Sequence, residues 1–110
     1  MKITGAMTAI ATPMSEDGAV DYSYLNKLID YQIDNSISAI VAVGTTGESA
    51  TIDFDEHVSL IEYFVKYIDG RVKVIAGTGA NSTIEALELT KSAKDAGADA
   101  ALLVLSLIHI

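Results

Sequence analysis

The chain has no cysteine and no tryptophan, a single proline, and seven basic side chains against fifteen acidic ones. Without cysteine there is no disulfide framework, no thiolate nucleophile and no thiolate zinc site, and the composition fits a reducing, cytoplasmic setting. A formal net charge of −8 leaves no basic surface to attract a phosphate backbone or an anionic bilayer, so neither nucleic acid nor membrane is an expected partner. No apolar run approaches the roughly 18 residues of a membrane-crossing helix. Gly5, Thr8, Thr12 and Pro13 interrupt the apolar stretch that a secretory signal needs, so no targeting segment is expected. His109 stands in an apolar tail without an evident ligand partner, and neither a metal nor a cofactor is expected.

Half of the residues are hydrophobic and the mean hydropathy is +0.35. That is high for a small domain unless strands buried on both faces raise the average, as they do in parallel α/β sheets. The chain alternates accordingly. A first strand is expected from Ile3 to Thr12, where Thr12-Pro13 ends it because proline lacks a ladder donor. Asp21 caps a helix whose apolar stripe is Leu25, Leu28, Ile29, Gln32 and Ile33. Ala39–Val43, closed by Gly44, reads as a buried strand. Asp53 and Glu56 form a capping box for a second helix with the stripe Phe54, Val58, Ile61, Val65 and Ile68, ending at Gly70. Val72–Ala76 repeats the strand pattern. Ser82 and Glu85 then cap a third helix carrying Ile84, Leu87 and Ala93 and stopping at Gly97, before a fourth strand over Ala100–Val104.

The last three strands recur at roughly thirty-residue intervals, the length of a βαβ unit, so four parallel strands and three helices are expected. Periodicity alone fits both an open doubly wound sheet and a section of a barrel, and 110 residues fall well short of the ~250 of a complete (β/α)8 barrel.

In either architecture chemistry gathers beyond the carboxyl ends of the strands. Those ends read Thr12-Pro13, Gly44-Thr45-Thr46-Gly47-Glu48-Ser49 and Gly77-Thr78-Gly79-Ala80-Asn81. In the second, Gly44 and Gly47 allow a tight turn with free N–H groups while Thr45 and Thr46 add two hydroxyls, a cradle for a small carboxylate or oxyanion. The same residues equally make a tight turn with hydroxyls bonded back to their own backbone, and chemistry alone leaves both open. The third end carries Ser82 where a dinucleotide fingerprint needs a small third glycine position, and the chain has no phosphate-loop lysine, so nucleotide binding is not expected. His57 reads as a surface histidine in the first turn of the second helix, Asn81 as a turn residue and Glu85 as a capping partner.

The strings Ala9-Ile10-Ala11-Thr12-Pro13, Gly44-Thr45-Thr46-Gly47-Glu48-Ser49-Ala50-Thr51, Asp55-Glu56-His57 and Val74-Ile75-Ala76-Gly77-Thr78-Gly79-Ala80-Asn81 resemble the dihydrodipicolinate synthase family of pyruvate-dependent aldolases. The resemblance runs from about Ile3 to Val104. It implies the amino-terminal half of a TIM (β/α)8 barrel, in which a lysine on the sixth strand forms a Schiff base with pyruvate and the enamine attacks aspartate 4-semialdehyde. It implies that Thr45 serves a proton relay with tyrosines and that Thr46 holds the pyruvate carboxylate. It further implies a lysine feedback site at Ser49, Ala50, His57, Asn81 and Glu85, weakened here because Phe54 stands where lysine-sensitive members have histidine. It also implies a homotetramer for the full-length parent. Other pyruvate aldolases acting on N-acetylneuraminate or 2-keto-3-deoxy sugar acids are the neighbouring possibility, and a non-catalytic carboxylate-binding half-barrel is the other.

Two departures bear on activity. A Schiff-base lysine must be buried with its pKa lowered, whereas Lys2, Lys27, Lys66, Lys73, Lys91 and Lys94 are expected before a strand, at a strand's start or on solvated helix faces. After Val104 the family continues with a Thr-Pro-Tyr-Tyr motif that supplies a relay tyrosine, while this chain has Leu105-Ser106-Leu107-Ile108-His109-Ile110. The expected organisation is therefore a partial barrel over residues 1–104 and a non-family tail over 105–110, read as translated adapter sequence joined to a truncated frame. Such a chain is expected to be inactive by itself.

Overall fold

The computed structural model describes residues 2–104. The expectation for the tail, with His109 in it, lies outside those residues. The element order is β1 (Met7–Ala9), α1 (Tyr22–Asp34), β2 (Ala39–Ala42), a short 3-10 turn (Ser49–Thr51), α2 (Phe54–Ile68), β3 (Lys73–Gly77), α3 (Thr83–Ala96) and β4 (Ala100–Leu102). All neighbouring strands pair in parallel, in the order β1-β2-β3-β4.

That order separates the two architectures that periodicity left open. Right-handed crossovers that always step in one direction put every helix on the same face, whereas a doubly wound sheet reverses direction and covers both. The register agrees. Ile40, paired with Val74, and Ala42, paired with Ala76, are buried under the helices. The alternate row Ala9–Val41–Ile75–Ala100 is only partly covered or exposed, the side that faces the lumen of a barrel.

The three helix caps form as local chemistry dictates. The carboxylates of Asp21 and Asp53 accept from the N–H groups of Tyr24 and Glu56, at 3.0 and 2.8 Å, and Ser82 Oγ accepts from Glu85 N–H at 3.5 Å. The expected apolar stripes are less faithful. On α2 the buried residues are His57, Leu60, Ile61, Phe64 and Ile68. Phe54, Val58 and Val65 are half-buried, because α2 lies between two other helices and the sheet and covers a wider arc than one stripe. On α3, Leu89 and Ala93 face the core, while Ile84 and Leu87 are 71% and 66% exposed on the opposite side at 3.6 residues per turn. The first strand is shorter than Ile3–Thr12. Gly5, at φ +96°, bends the chain before it, though Ile10 N–H still reaches the Val41 carbonyl at 3.2 Å.

Candidate functional site at the carboxyl ends of the strands

The ends of β1, β2 and β3 meet through close backbone contacts. A Cβ on Gly47 would lie 3.0 Å from Thr12 Oγ1 and 3.2 Å from the Ile10 carbonyl oxygen, so the turn after β2 folds down onto the end of β1. A Cβ on Gly77 would run into the Val43 carbonyl oxygen, so the end of β3 abuts the same turn from the other side. Neither glycine is there for a positive φ. The left-handed backbone falls instead on Val43, φ +54°, and Glu48, φ +64°. This corrects the expectation that Gly44 and Gly47 supply the tight turning. A β-branched residue in that region is strained, and such strain persists where surrounding contacts fix it, commonly at functional sites.

Thr45 and Thr46 stand at the exposed crest of the turn. Its closing bonds are backbone ones, Glu48 N–H to the Thr45 carbonyl at 3.0 Å and Ser49 N–H to the Gly44 carbonyl at 3.3 Å. The hydroxyl that folds back on its own backbone is Thr51, whose Oγ1 donates to the Glu48 carbonyl at 3.2 Å. Among the described side-chain hydrogen bonds, none engages the hydroxyl of Thr45 or Thr46.

His57 is not a surface histidine. It is 3% exposed, and Nε2–H donates to the Gly77 carbonyl at 2.6 Å. Burial pushes its pKa below the ordinary imidazole value, against smaller upward pulls from that hydrogen bond and from the Glu85 carboxylate. The His57 ring thus packs against the end of β3, while Glu85 is exposed in the first turn of α3. Ser49 and Ala50 lie in the 3-10 turn after the cradle, Ser49 half-buried and Ala50 exposed, and Asn81 is exposed just before α3. Phe54, at the start of α2, is half-buried. Thr78 is fully buried and its hydroxyl donates to Thr90 Oγ1 at 2.9 Å, while Thr90 donates to the Ala86 carbonyl at 2.8 Å, which holds the β3 end against α3.

All six lysines are exposed, and Lys73 lies 4.0 Å from Asp99 in an ion pair at the amino-terminal edge of the sheet, away from the cradle. Among the described residues no group of three or more His, Asp or Glu side chains is placed to hold a metal. None of the described helices is long and apolar enough to cross a membrane. Thr12, quoted in sequence only as a strand end, is the residue that linear reading missed: it is buried beneath the cradle. No local signal marks it, because β1 ends at Ala9 and what Thr12 packs against is Gly47 in the turn after β2.

The family model described as dihydrodipicolinate synthetase matches residues 2–106. The chain belongs to the dihydrodipicolinate synthase family. It is 59% identical over 102 residues to 4-hydroxy-tetrahydrodipicolinate synthase of Pseudomonas putida (strain W619), covering 93% of this chain and 35% of the relative. Against the same enzyme of Psychrobacter arcticus it is 58% identical, with 94% and 34% covered. The chain therefore spans about a third of the length of the curated relatives it matches. Among solved structures, dihydrodipicolinate synthase from Aquifex aeolicus superposes with a TM-score of 0.89 at 52% identity, over 92% of this chain and 34% of that one. The Acinetobacter baumannii enzyme, a chloride-inhibited form complexed with pyruvate, gives 0.90 at 53% identity, over 93% and 35%. These neighbours are TIM barrels, and the four-stranded sheet matches about a third of each.

Proposed function

We propose that the full-length protein carrying these residues condenses pyruvate with L-aspartate 4-semialdehyde to give 4-hydroxy-tetrahydrodipicolinate, a step toward diaminopimelate and lysine in the cytoplasm. The observation that carries this reading is the crest of the turn after β2, where two exposed threonine hydroxyls are uncommitted above a backbone fixed from both sides by Gly47 and Gly77. A fixed set of donors acts on an anion without reorganising when it arrives. Thr46 holds the pyruvate carboxylate, which sets the carbonyl carbon in reach of an amine nucleophile supplied from beyond residue 104. Thr45 passes protons between reacting groups and relay tyrosines, as carbinolamine dehydration and enamine formation require.

Family membership and the pyruvate-bound Acinetobacter relative support the pyruvate half of this reading. The absence of a buried lysine among the described residues supports its complement, that the 110-residue chain alone does not turn over. We further assign Ser49, Ala50, His57, Asn81 and Glu85 to a lysine-responsive site whose response is weak, because half-buried Phe54 offers no imidazole there. The active assembly is a homotetramer.

Borohydride reduction of the full-length protein in the presence of pyruvate tests the reading. A covalent pyruvate adduct on one lysine is expected, with none on the 110-residue chain, and no adduct on the full-length protein overturns it. Assays with aspartate semialdehyde against sugar aldehydes then separate the synthase from a sugar-acid aldolase.

A further inference from the structure

Beneath the Gly44–Glu48 turn, Thr12 carries a buried hydroxyl that meets no hydrogen-bond partner among the described residues. The side chain is 3% exposed and lies just past the carboxyl end of β1. Its Oγ1 would stand 3.0 Å from a Cβ at Gly47, so it packs against the underside of the turn that carries Thr45 and Thr46 on its crest. Other threonine hydroxyls covered beside the sheet are paired. Thr8 Oγ1 donates to Gln32 Oε1 at 2.9 Å, and the Thr78 and Thr90 hydroxyls pair with one another at 2.9 Å.

Valine has the same shape as threonine and carries no desolvation cost at a buried position without a partner, so packing does not account for a hydroxyl here. Electrostatics does. A hydroxyl committed to no partner can rotate, and its dipole can turn toward a negative charge without breaking a bond. The negative charge that the proposed function puts nearby is the carboxylate held on the far side of the turn. Val43, in its left-handed conformation, and Gly47 fix the thickness of backbone between the two.

We propose that Thr12 is a positioning residue of the pyruvate site, whose buried hydroxyl orients toward the bound carboxylate and supports the Gly47 end of the turn without touching substrate. The inference rests on the pyruvate-binding reading given above. It adds a polar layer under the cradle, one that acts on binding of the anion rather than on the transfer of protons.

Steady-state kinetics of the full-length protein and its Thr12→Val and Thr12→Ser variants, together with thermal melting, test it. Thr12→Val is expected to raise the pyruvate KM roughly fivefold, less than the loss of a direct hydrogen bond to a charged group, because the dipole acts across the turn without touching substrate. That rise exceeds any change in kcat or in the aldehyde KM, and Tm is equal to or above the parent's. Thr12→Ser, which keeps the hydroxyl, holds the pyruvate KM within about twofold. If Thr12→Val does not fold, the Thr12→Ser and Thr12→Ala pair isolates the hydroxyl and is expected to show the same split. A pyruvate KM indifferent to the hydroxyl overturns the proposal, as does a joint loss of Tm, kcat and both KM values that serine does not rescue. A parent protein without pyruvate-dependent turnover removes the functional reading and this inference together, whereas an active parent with an indifferent Thr12 removes only the inference.

Discussion

His57 shows how a single side chain changes meaning once the chain is folded. Its sequence neighbours, Asp55 and Glu56, mark a solvated first turn, yet the ring points inward and caps the Gly77 carbonyl. Nothing local announces this, because the acceptor is twenty residues away on β3. Since burial lowers its pKa, the folded chain binds fewer protons than the unfolded one, and stability rises with pH through that window. The contribution is whole above the unfolded value of 6.5 and declines as pH falls from there through the lowered folded pKa. Urea midpoints of the full-length protein between about pH 5 and 8 should show this decline, and His57→Gln, which keeps a donor but does not titrate in this range, should flatten it relative to the parent. An identical pH dependence in the two proteins would show that His57 is not a source of it. His57→Leu leaves the Gly77 carbonyl buried without its donor and should cost about 1–3 kcal/mol at neutral pH.

Helix caps were legible residue by residue because each is settled within four positions, as Asp21, Asp53 and Ser82 demonstrate. Strand limits and helix faces were not, because they depend on what packs across from them. The 4-3-4-3 spacing on α2 identified Ile61 and Ile68 but passed over Leu60 and Phe64, which are just as fully buried in the core. Phe64→Ala should therefore cost about 3–5 kcal/mol in urea denaturation of the full-length protein, and Phe54→Ala distinctly less. Equal losses would restore the simpler stripe. The cradle was legible as a motif, since glycines and threonines at a strand end are visible in the string. Its mechanics were not: the strained turn sits at Val43, and Gly77 is small because the Val43 carbonyl occupies the space of its missing side chain. Gly77→Ala must displace that backbone and should distort the Thr45–Thr46 crest, weakening pyruvate binding more than it lowers the melting temperature.

Across the described residues, four parallel strands in sequential order make one sheet with its helices on one side and a partly covered row on the other. Among the described residues β1 and β4 are edges, and Met7, Leu102 and Leu103 are exposed apolar side chains there. A closed barrel removes such edges, whereas an open one offers unpaired N–H and C=O groups to other chains. The 110-residue polypeptide expressed alone should self-associate in size-exclusion chromatography, and a sharp monomer peak with cooperative melting would count against that. From periodicity the barrel order was legible only as an α/β alternation, because the direction of each crossover is a property of pairing rather than of any segment; the strings at the strand ends, through their family resemblance, carried the barrel itself. What binds at the carboxyl ends is the central question, and the pyruvate-concentration dependence of borohydride trapping in the full-length protein and its Thr46→Val variant tests it most directly. Loss of one hydroxyl donor to a carboxylate is expected to shift half-maximal trapping to roughly tenfold higher pyruvate or more, whereas an unchanged dependence would contradict a carboxylate held at Thr46.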